Sequence, residues 1–482
     1  MLGTVVAEAA ERFGDATAFV DPDGGSLTYR QLHVITDEVA AGLLDQRMGE
    51  ASVLAISLPP SLDYVVAYVA AAKIGAITAG VNHKLTATER DAVLERAQPA
   101  LVIDSDHNPV ADLAVPGGAP RPLPPHPDRV VAIVFTSGTT GAPKGAVFAN
   151  RQLSFITEVD TGGRWGGGGH TMASTSLAHL GPTTKLPGNL MRGGTIHLME
   201  RWRATTALEL IDRHRMAGIG GIPTQFALML ANPAFASFDL TCVQAVVIGG
   251  GPASPVLVRQ IRERFGAALA MRYSCTEAGV GLGTAFTDPP EDAEESVGRP
   301  HPGVTLTIVD PDSDVVRPDG QEGEVCLRSP AVMRGYWNDP KATAAAFLAD
   351  GSVRTGDLGV IDDRGRLHLV GRRTERYVRG GYNVHPQEVE TALAAHPDVS
   401  QVAVVSIPDL TMGEIGVAYV VPKDGGNVVD LAVLRAFATD MVAGYKLPDR
   451  LVLLDSLPLT AMDKVDKREL ARRAAGQLDT SV

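Results

Sequence analysis

The densest group of residues able to do chemistry is Thr136-Ser137-Gly138-Thr139-Thr140-Gly141-Ala142-Pro143-Lys144-Gly145. Small residues let backbone N–H groups approach an anion, hydroxyls donate to it, and Lys144 adds a mobile positive charge, so the run suits a phosphate. A Walker loop has Gly directly before its Lys and Ser or Thr directly after, whereas Lys144 stands between Pro143 and Gly145. A plain Gly/Thr surface turn is the competing interpretation of this run alone. Further groups are Tyr273-Ser274-Cys275-Thr276-Glu277, Thr355-Gly356-Asp357, Gly371-Arg372, the glycine-rich run from Gly380 to Glu390, and Pro458 to Lys464. Taken singly, Tyr273 and Thr276 suit strand packing, Glu277 a solvated strand end, and Arg372 a loop charge. Lys464, Lys467 and Arg468 suit solvent-facing cations at a helix start.

The elements around these groups alternate between strand and helix. Val53 to Leu58 precedes an apolar helical stretch from Tyr64 to Lys73, and Ala76 to Val81 precedes Thr86 to Arg96. Residues 106 to 129, rich in Pro, Gly, Asp and His, suit a surface connection before the buried strand Val130 to Phe135 that delivers the hydroxyl-rich loop. Another strand, Val243 to Ile248, ends in Gly249-Gly250-Gly251 and leads to a helix over Pro255 to Phe265. After residue 295, shorter strands at Val304 to Val309, Gly323 to Leu327 and Leu367 to Val370 imply a β-rich subdomain. From Gly371 onward a separate unit is expected: helices at Pro386 to Ala395 and Leu431 to Val442, strands at Val402 to Ser406 and Gly416 to Val421. The fold class is α/β. A large N-terminal domain of layered α/β subdomains plus a β-rich subdomain, residues 1–371, is followed by a small α+β C-terminal domain, residues 372–482.

A chain of 482 residues exceeds what one core usually organises. Its net charge of −13 offers no basic field for nucleic acid. Three cysteines, Cys242, Cys275 and Cys326, lie without metal-ligand spacing or the density of a disulfide framework, which fits a reducing cytoplasmic location. No basic flank precedes a long apolar run at the N-terminus, and the stretch ending at Lys73 and Gly75 is too short to span a bilayer. Neither a signal peptide nor a transmembrane segment is expected. Composition leaves the oligomeric state open.

In their order along the chain, these motifs resemble those of the adenylate-forming superfamily, which groups acyl-CoA synthetases, nonribosomal-peptide adenylation domains and luciferases. The resemblance implies activation of a small-molecule carboxylic acid with ATP to acyl-AMP and pyrophosphate, then transfer to coenzyme A, giving acyl-CoA and AMP. It implies that Thr136, Ser137, Gly138, Thr139, Thr140 and Lys144 hold phosphates. Gly249, Gly250, Gly251, Tyr273 and Ser274 would border the nucleotide, with the Tyr273 ring by the adenine. Thr276 would meet the α-phosphate, Glu277 would bind Mg2+, and Asp357 and Arg372 would hold the ribose. A flat ring suits a base, and a hard carboxylate suits Mg2+.

Lys464 is the catalytic lysine of this scheme, carried by a mobile C-terminal domain whose loop at Gly380 and Gly381 leaves room for a thin pantetheine arm. His179 would sit by the substrate carboxylate. Leu180, Gly221, Thr224, Gly250, Ala278 and Gly279 would complete an apolar acyl or aryl pocket with it. The run Ser174 to Gly181 lacks the Asp that amino-acid-activating relatives use for an ammonium group. At the hinge, where the family usually has Asp or Lys, stands Thr374; Asp463 replaces the usual Gly before the lysine. Two other outcomes fit the same motifs: loading of an acyl carrier protein, and adenylate binding with weak catalysis.

Overall fold

The computed structural model describes residues 1–136, 143–173, 175–423, 429–460 and 464–476. Its first large sheet has the order Leu101–Asp104, Val53–Ser57, Ile77–Gly80, Val130–Thr136, Lys144–Ala149, parallel except for the last pairing. Both faces of such a sheet are covered, so Val53–Ser57 and Ile77–Gly80 are buried at every position. The helix between them, Leu62–Lys73, is capped by the Ser61 hydroxyl, which accepts from the Tyr64 N–H. Its terminal Lys73 is buried but paired, donating to Asp37 Oδ1 at 2.7 Å and the His33 carbonyl at 2.9 Å. Helix Ala87–Ala97 starts in a capping box of Thr86 and Glu89.

A second sheet places Gly218–Gly221, Ala245–Gly249 and Ala268–Tyr273 in parallel, extended by the antiparallel Leu282–Gly283 and Arg299–Pro300. The helix expected after the glycine run is Pro255–Phe265, with Ser254 as cap and Pro255 in its first turn. A small third sheet joins Ser26–Thr28, Thr17–Val20, Thr195–Leu198 and His170–Ala173 in that order. The β-rich subdomain is an antiparallel sheet of Thr305–Val309, Gly323–Arg328, Val353–Ile361 and Leu367–Arg372.

The last strand of that sheet ends at Arg372, and the C-terminal sheet begins at Tyr377–Arg379. Its two long strands, Val399–Asp409 and Gly413–Pro422, pair along nearly their whole length and so outrun the expected segments. Both are apolar on both faces for a specific reason. Val404, Ala418 and Val420 pack with Val389, Leu393 and Leu434 from helices Pro386–Ala394 and Leu431–Ala438, whereas Val405, Val417 and Tyr419 pack with Leu470 and Ala474 of Lys467–Gly476. Among the described residues no helix is long and apolar enough to cross a membrane.

The connection over residues 106–129 departs from the expected loose surface strand. Val110 and Leu113 are buried, and Val115 N–H donates to the Glu38 carbonyl of helix Tyr29–Asp45. Gly42 on that helix allows the approach, since a Cβ there would run into the Leu113 carbonyl oxygen. Gly42→Ala is therefore expected to destabilise the protein by about 1–3 kcal/mol, despite the roughly 1 kcal/mol gain in helix propensity. A lower chemical-denaturation midpoint is the expected result; a raised midpoint contradicts the close packing.

Candidate active site

Parallel strands that end side by side create the crevice in which open α/β sheets bind ligands. Here Gly221 pairs with Ile248 and Gly249 with Arg272, so Gly221, Gly249 to Gly251, and Tyr273 onward share one edge. Thr224 lies in the first turn of helix Pro223–Leu230 beside it. The strand stops at Tyr273, so Thr276, Glu277 and Ala278 form a short 3-10 turn beyond it, closed by Gly279. Thr276 therefore does not pack within the strand. Ser274 and Cys275 bridge strand and turn. Burial, with the Glu277 and Asp357 carboxylates, pushes the Cys275 thiol well above its ordinary pKa and keeps it a packed, protonated group.

Across the edge lies a buried carboxylate. Asp357 on Val353–Ile361 is the register partner of Arg372 on Leu367–Arg372, and Arg372 Nε donates to its Oδ1 at 2.9 Å. Tyr273 Oη donates to Oδ2 at 2.7 Å. Burial raises the Asp357 pKa, whereas the Arg372 charge and the Tyr273 hydroxyl oppose that rise. The Thr355 hydroxyl accepts from the Asp357 N–H and fixes the turn of the strand. A carboxylate offers about four acceptor positions, so these two donors leave room for two more.

Glu277 has a partner that sequence reasoning missed. Tyr336 Oη donates to Glu277 Oε1 at 2.7 Å, and Lys144 Nζ stands 5.3 Å from the Tyr336 ring centroid. The run Arg334-Gly335-Tyr336-Trp337 was the available signal, an aromatic pair after glycine between two strands. Thr136 and Lys144 face each other at the mouth of the hairpin of Val130–Thr136 and Lys144–Ala149. Ser137, Gly138, Thr139 and Thr140 between them, and Asp463, lie outside the described residues.

His179 precedes helix Leu180–Arg192 and faces Asn82, whose Nδ2 is 3.1 Å from His179 Nε2. With the amide donating to Nε2, the proton of the neutral ring sits on Nδ1. A cavity of about 300 Å3 lies behind this point, walled by Tyr64, Tyr68, Met172, Leu186 and Leu198. It touches Gly181 and Gly220, each one residue from an expected pocket residue, but none of His179, Leu180, Gly221, Thr224, Gly250, Ala278 or Gly279 lines it. The cavity meets the crevice strand at Gly220.

Lys464 reaches solvent, yet surrounding protein lowers its pKa by desolvation; Arg372 adds to that and Asp357 opposes it. The C-terminal lysine thus shares an electrostatic field with the Asp357–Arg372 pair. Lys467 is not the surface cation expected: it binds Glu375 at 2.9 Å and Glu390 at 2.8 Å, and these carboxylates hold its pKa above the usual value. Arg468 is exposed as expected. Thr374 lies in the exposed turn between Arg372 and Tyr377. Gly380 and Gly381, at φ +56° and +85°, form the two-residue turn of hairpin Tyr377–Arg379 and Tyr382–Val384, a conformation made for glycine. That hairpin is held by the Met412 carbonyl and by stacking of Tyr382 on Tyr445.

The model of AMP-binding enzymes matches residues 6–337, and that of the AMP-binding enzyme C-terminal domain matches residues 388–464. The chain belongs to the AMP-binding enzyme family. Relatives of this AMP-binding enzyme include feruloyl-CoA synthase of Amycolatopsis sp, 31% identical over 98% of this chain and 99% of the relative. The fatty acid–[acyl-carrier-protein] ligase ScoC of Streptomyces coeruleorubidus is 30% identical over 94% and 93%. Among solved structures, the amide bond synthetase McbA from Marinactinospora thermotolerans superposes with a TM-score of 0.86 at 30% identity, covering 98% of this chain and 100% of its own. The large N-terminal and small C-terminal domains are those of this family's structures.

Tyr273→Phe removes one donor from a buried carboxylate and should cost about 1–3 kcal/mol. A lower thermal unfolding midpoint in the ligand-free protein is the expected result. A midpoint equal to wild type contradicts a dependence of Asp357 on that hydroxyl.

Proposed function

We propose that this AMP-binding enzyme activates a carboxylic acid with ATP as acyl-AMP, releasing pyrophosphate, and then passes the acyl group to the thiol of coenzyme A. The observation that carries this reading is the Arg372–Asp357 pair at the strand-end crevice, whose charges act on Lys464. Its family and its CoA-ligase relatives support the reaction type.

A carboxylate cannot expel oxide, so its oxygen must first be joined to phosphorus as a mixed anhydride, from which AMP departs readily. In-line attack on the α-phosphate crowds negative charge, which fixed cations and donors relieve better than reorienting water. In this scheme Asp357 accepts the two ribose hydroxyls on its remaining lone pairs, Tyr273 flanks the adenine, and Thr276 donates to the α-phosphate. Lys144, with Thr136, Ser137, Gly138, Thr139 and Thr140, orients the leaving pyrophosphate. Lys464 stabilises the charge that builds at the α-phosphate. Glu277, a hard oxygen donor kept in place by Tyr336, suits Mg2+. When bound, Mg2+ would neutralise phosphate charge. His179, oriented by Asn82, would donate to the acid's carboxylate, and Leu180, Gly221, Thr224, Gly250, Ala278 and Gly279 would receive its apolar part.

For the second half-reaction, we place the domain boundary at Arg372–Thr374 and the hinge at Thr374. Rotation there would exchange Lys464 for the Gly380–Gly381 turn and admit the pantetheine thiol. A carrier-protein acceptor is the second reading, favoured by the likeness to ScoC. Both readings share the adenylation step and differ in what attacks the acyl-AMP.

The test is a panel of aliphatic and aryl carboxylic acids, followed by pyrophosphate release with and without coenzyme A, on wild type and Lys464→Ala. Acid-dependent release and acyl-CoA formation are expected from wild type. Lys464→Ala should lose adenylation by roughly 10²- to 10³-fold while still converting supplied acyl-AMP to acyl-CoA. Equal loss of both half-reactions contradicts the division of labour, and turnover only with a phosphopantetheinylated carrier protein contradicts the CoA assignment.

A further inference from the structure

Three histidines meet on one face of the small sheet. His170 opens the edge strand His170–Ala173, and Met172, two residues on, is the register partner of His197 on Thr195–Leu198. Alternation along the strands therefore turns His170 and His197 to one face. Helix Ala204–His214 brings its last residue to the same place, and Arg215, at φ +49°, ends the helix there. Ring centroids are 5.2 Å apart for His170 and His197, 4.9 Å for His170 and His214, and 4.1 Å for His197 and His214. His170 Nδ1 and His197 Nε2 lie 3.0 Å apart, and one nitrogen from each of the three residues falls within 4.8 Å of the others.

We propose that His170, His197 and His214 form a binding site for a divalent transition metal of the zinc class. Tetrahedral coordination with Zn–N bonds near 2.0 Å sets its donor nitrogens about 3.3 Å apart, so the observed spacing needs only small ring adjustments. A shared proton explains the 3.0 Å contact of one pair but gives no reason for a third imidazole. An all-imidazole donor set selects zinc-like ions over Mg2+, which takes oxygen ligands. This site is thus chemically separate from the Mg2+ chemistry proposed at Glu277. A neutral imidazole is the ligating form. His170 and His214 keep access to solvent, which leaves the fourth position to water.

The consequence of binding is mechanical. Thr171, Ala173, Ile196 and Leu198, alternate residues of the same two strands, line the 300 Å3 cavity, to which Met172 of the histidine face also contributes. A metal on the histidines would clamp helix Ala204–His214 to the edge strand and brace that cavity wall.

The experiment titrates Zn2+ calorimetrically into full-length, tag-free protein stripped with chelator, as wild type and as His170→Gln, His214→Gln and the double variant. Wild type should bind one equivalent with a rise in thermal midpoint. Each single variant should weaken binding by at least the roughly 10- to 100-fold that loss of a mere supporting group costs, and the double variant should bind none at this site. Circular dichroism checks that the variants fold. If they do not, X-ray absorption of zinc-loaded wild type decides: three imidazole nitrogens support the site, and a sulfur- or carboxylate-dominated shell overturns it. Absence of saturable binding, or unchanged binding by a folded double variant, also overturns it.

Discussion

Burying the Asp357 carboxylate costs free energy that only well-placed donors offset, and the donors here come from different parts of the fold. Tyr273 ends a strand of the second parallel sheet, and Arg372 ends the antiparallel sheet just before the C-terminal domain begins. Satisfying one acid therefore fixes the position of the strand-end crevice relative to the start of the turn at Thr374. On the proposed function, the group that recognises the ribose also anchors the base of the hinge. Nucleotide binding would then alter the charge balance that Arg372 and Lys464 both feel.

The last described helix of the C-terminal part is tied to the turn at Thr374. Leu470 and Ala474 seal one face of the sheet, and Lys467, at the start of that helix, spans Glu375 of that turn and Glu390 of helix Pro386–Ala394. Lys464 lies just upstream, in a turn where the Thr460 N–H donates to the Lys464 carbonyl. The helix start beside it is held by that packing and ion-pair cluster. A surface pair contributes little, but a lysine shared by two partly buried carboxylates gains more because water screens it less.

Much of this was legible in local sequence. Helix Pro255–Phe265 was expected from the strand and the glycines before it, and motif order singled out Asp357 and Arg372, which the structure pairs. What was hidden depends on contacts between distant segments, which carry no local period. Tyr336 meets Glu277, Asn82 meets His179, and Lys467 meets Glu375 only once the sheets are stacked. Residues 106–129 have loop composition, yet Val110 and Leu113 find a partner in helix Tyr29–Asp45. The three histidines gave no motif because two strands and a helix end, far apart in sequence, bring them together.

The most direct measurement is the dissociation constant for ATP in wild type and in the near-isosteric Asp357→Asn, both shown to be folded. On the proposed function, removing the charge from an acceptor that faces Tyr273 and Arg372 and would hold the ribose should weaken binding about 10- to 100-fold. An unchanged dissociation constant in the folded variant would contradict the account at its centre.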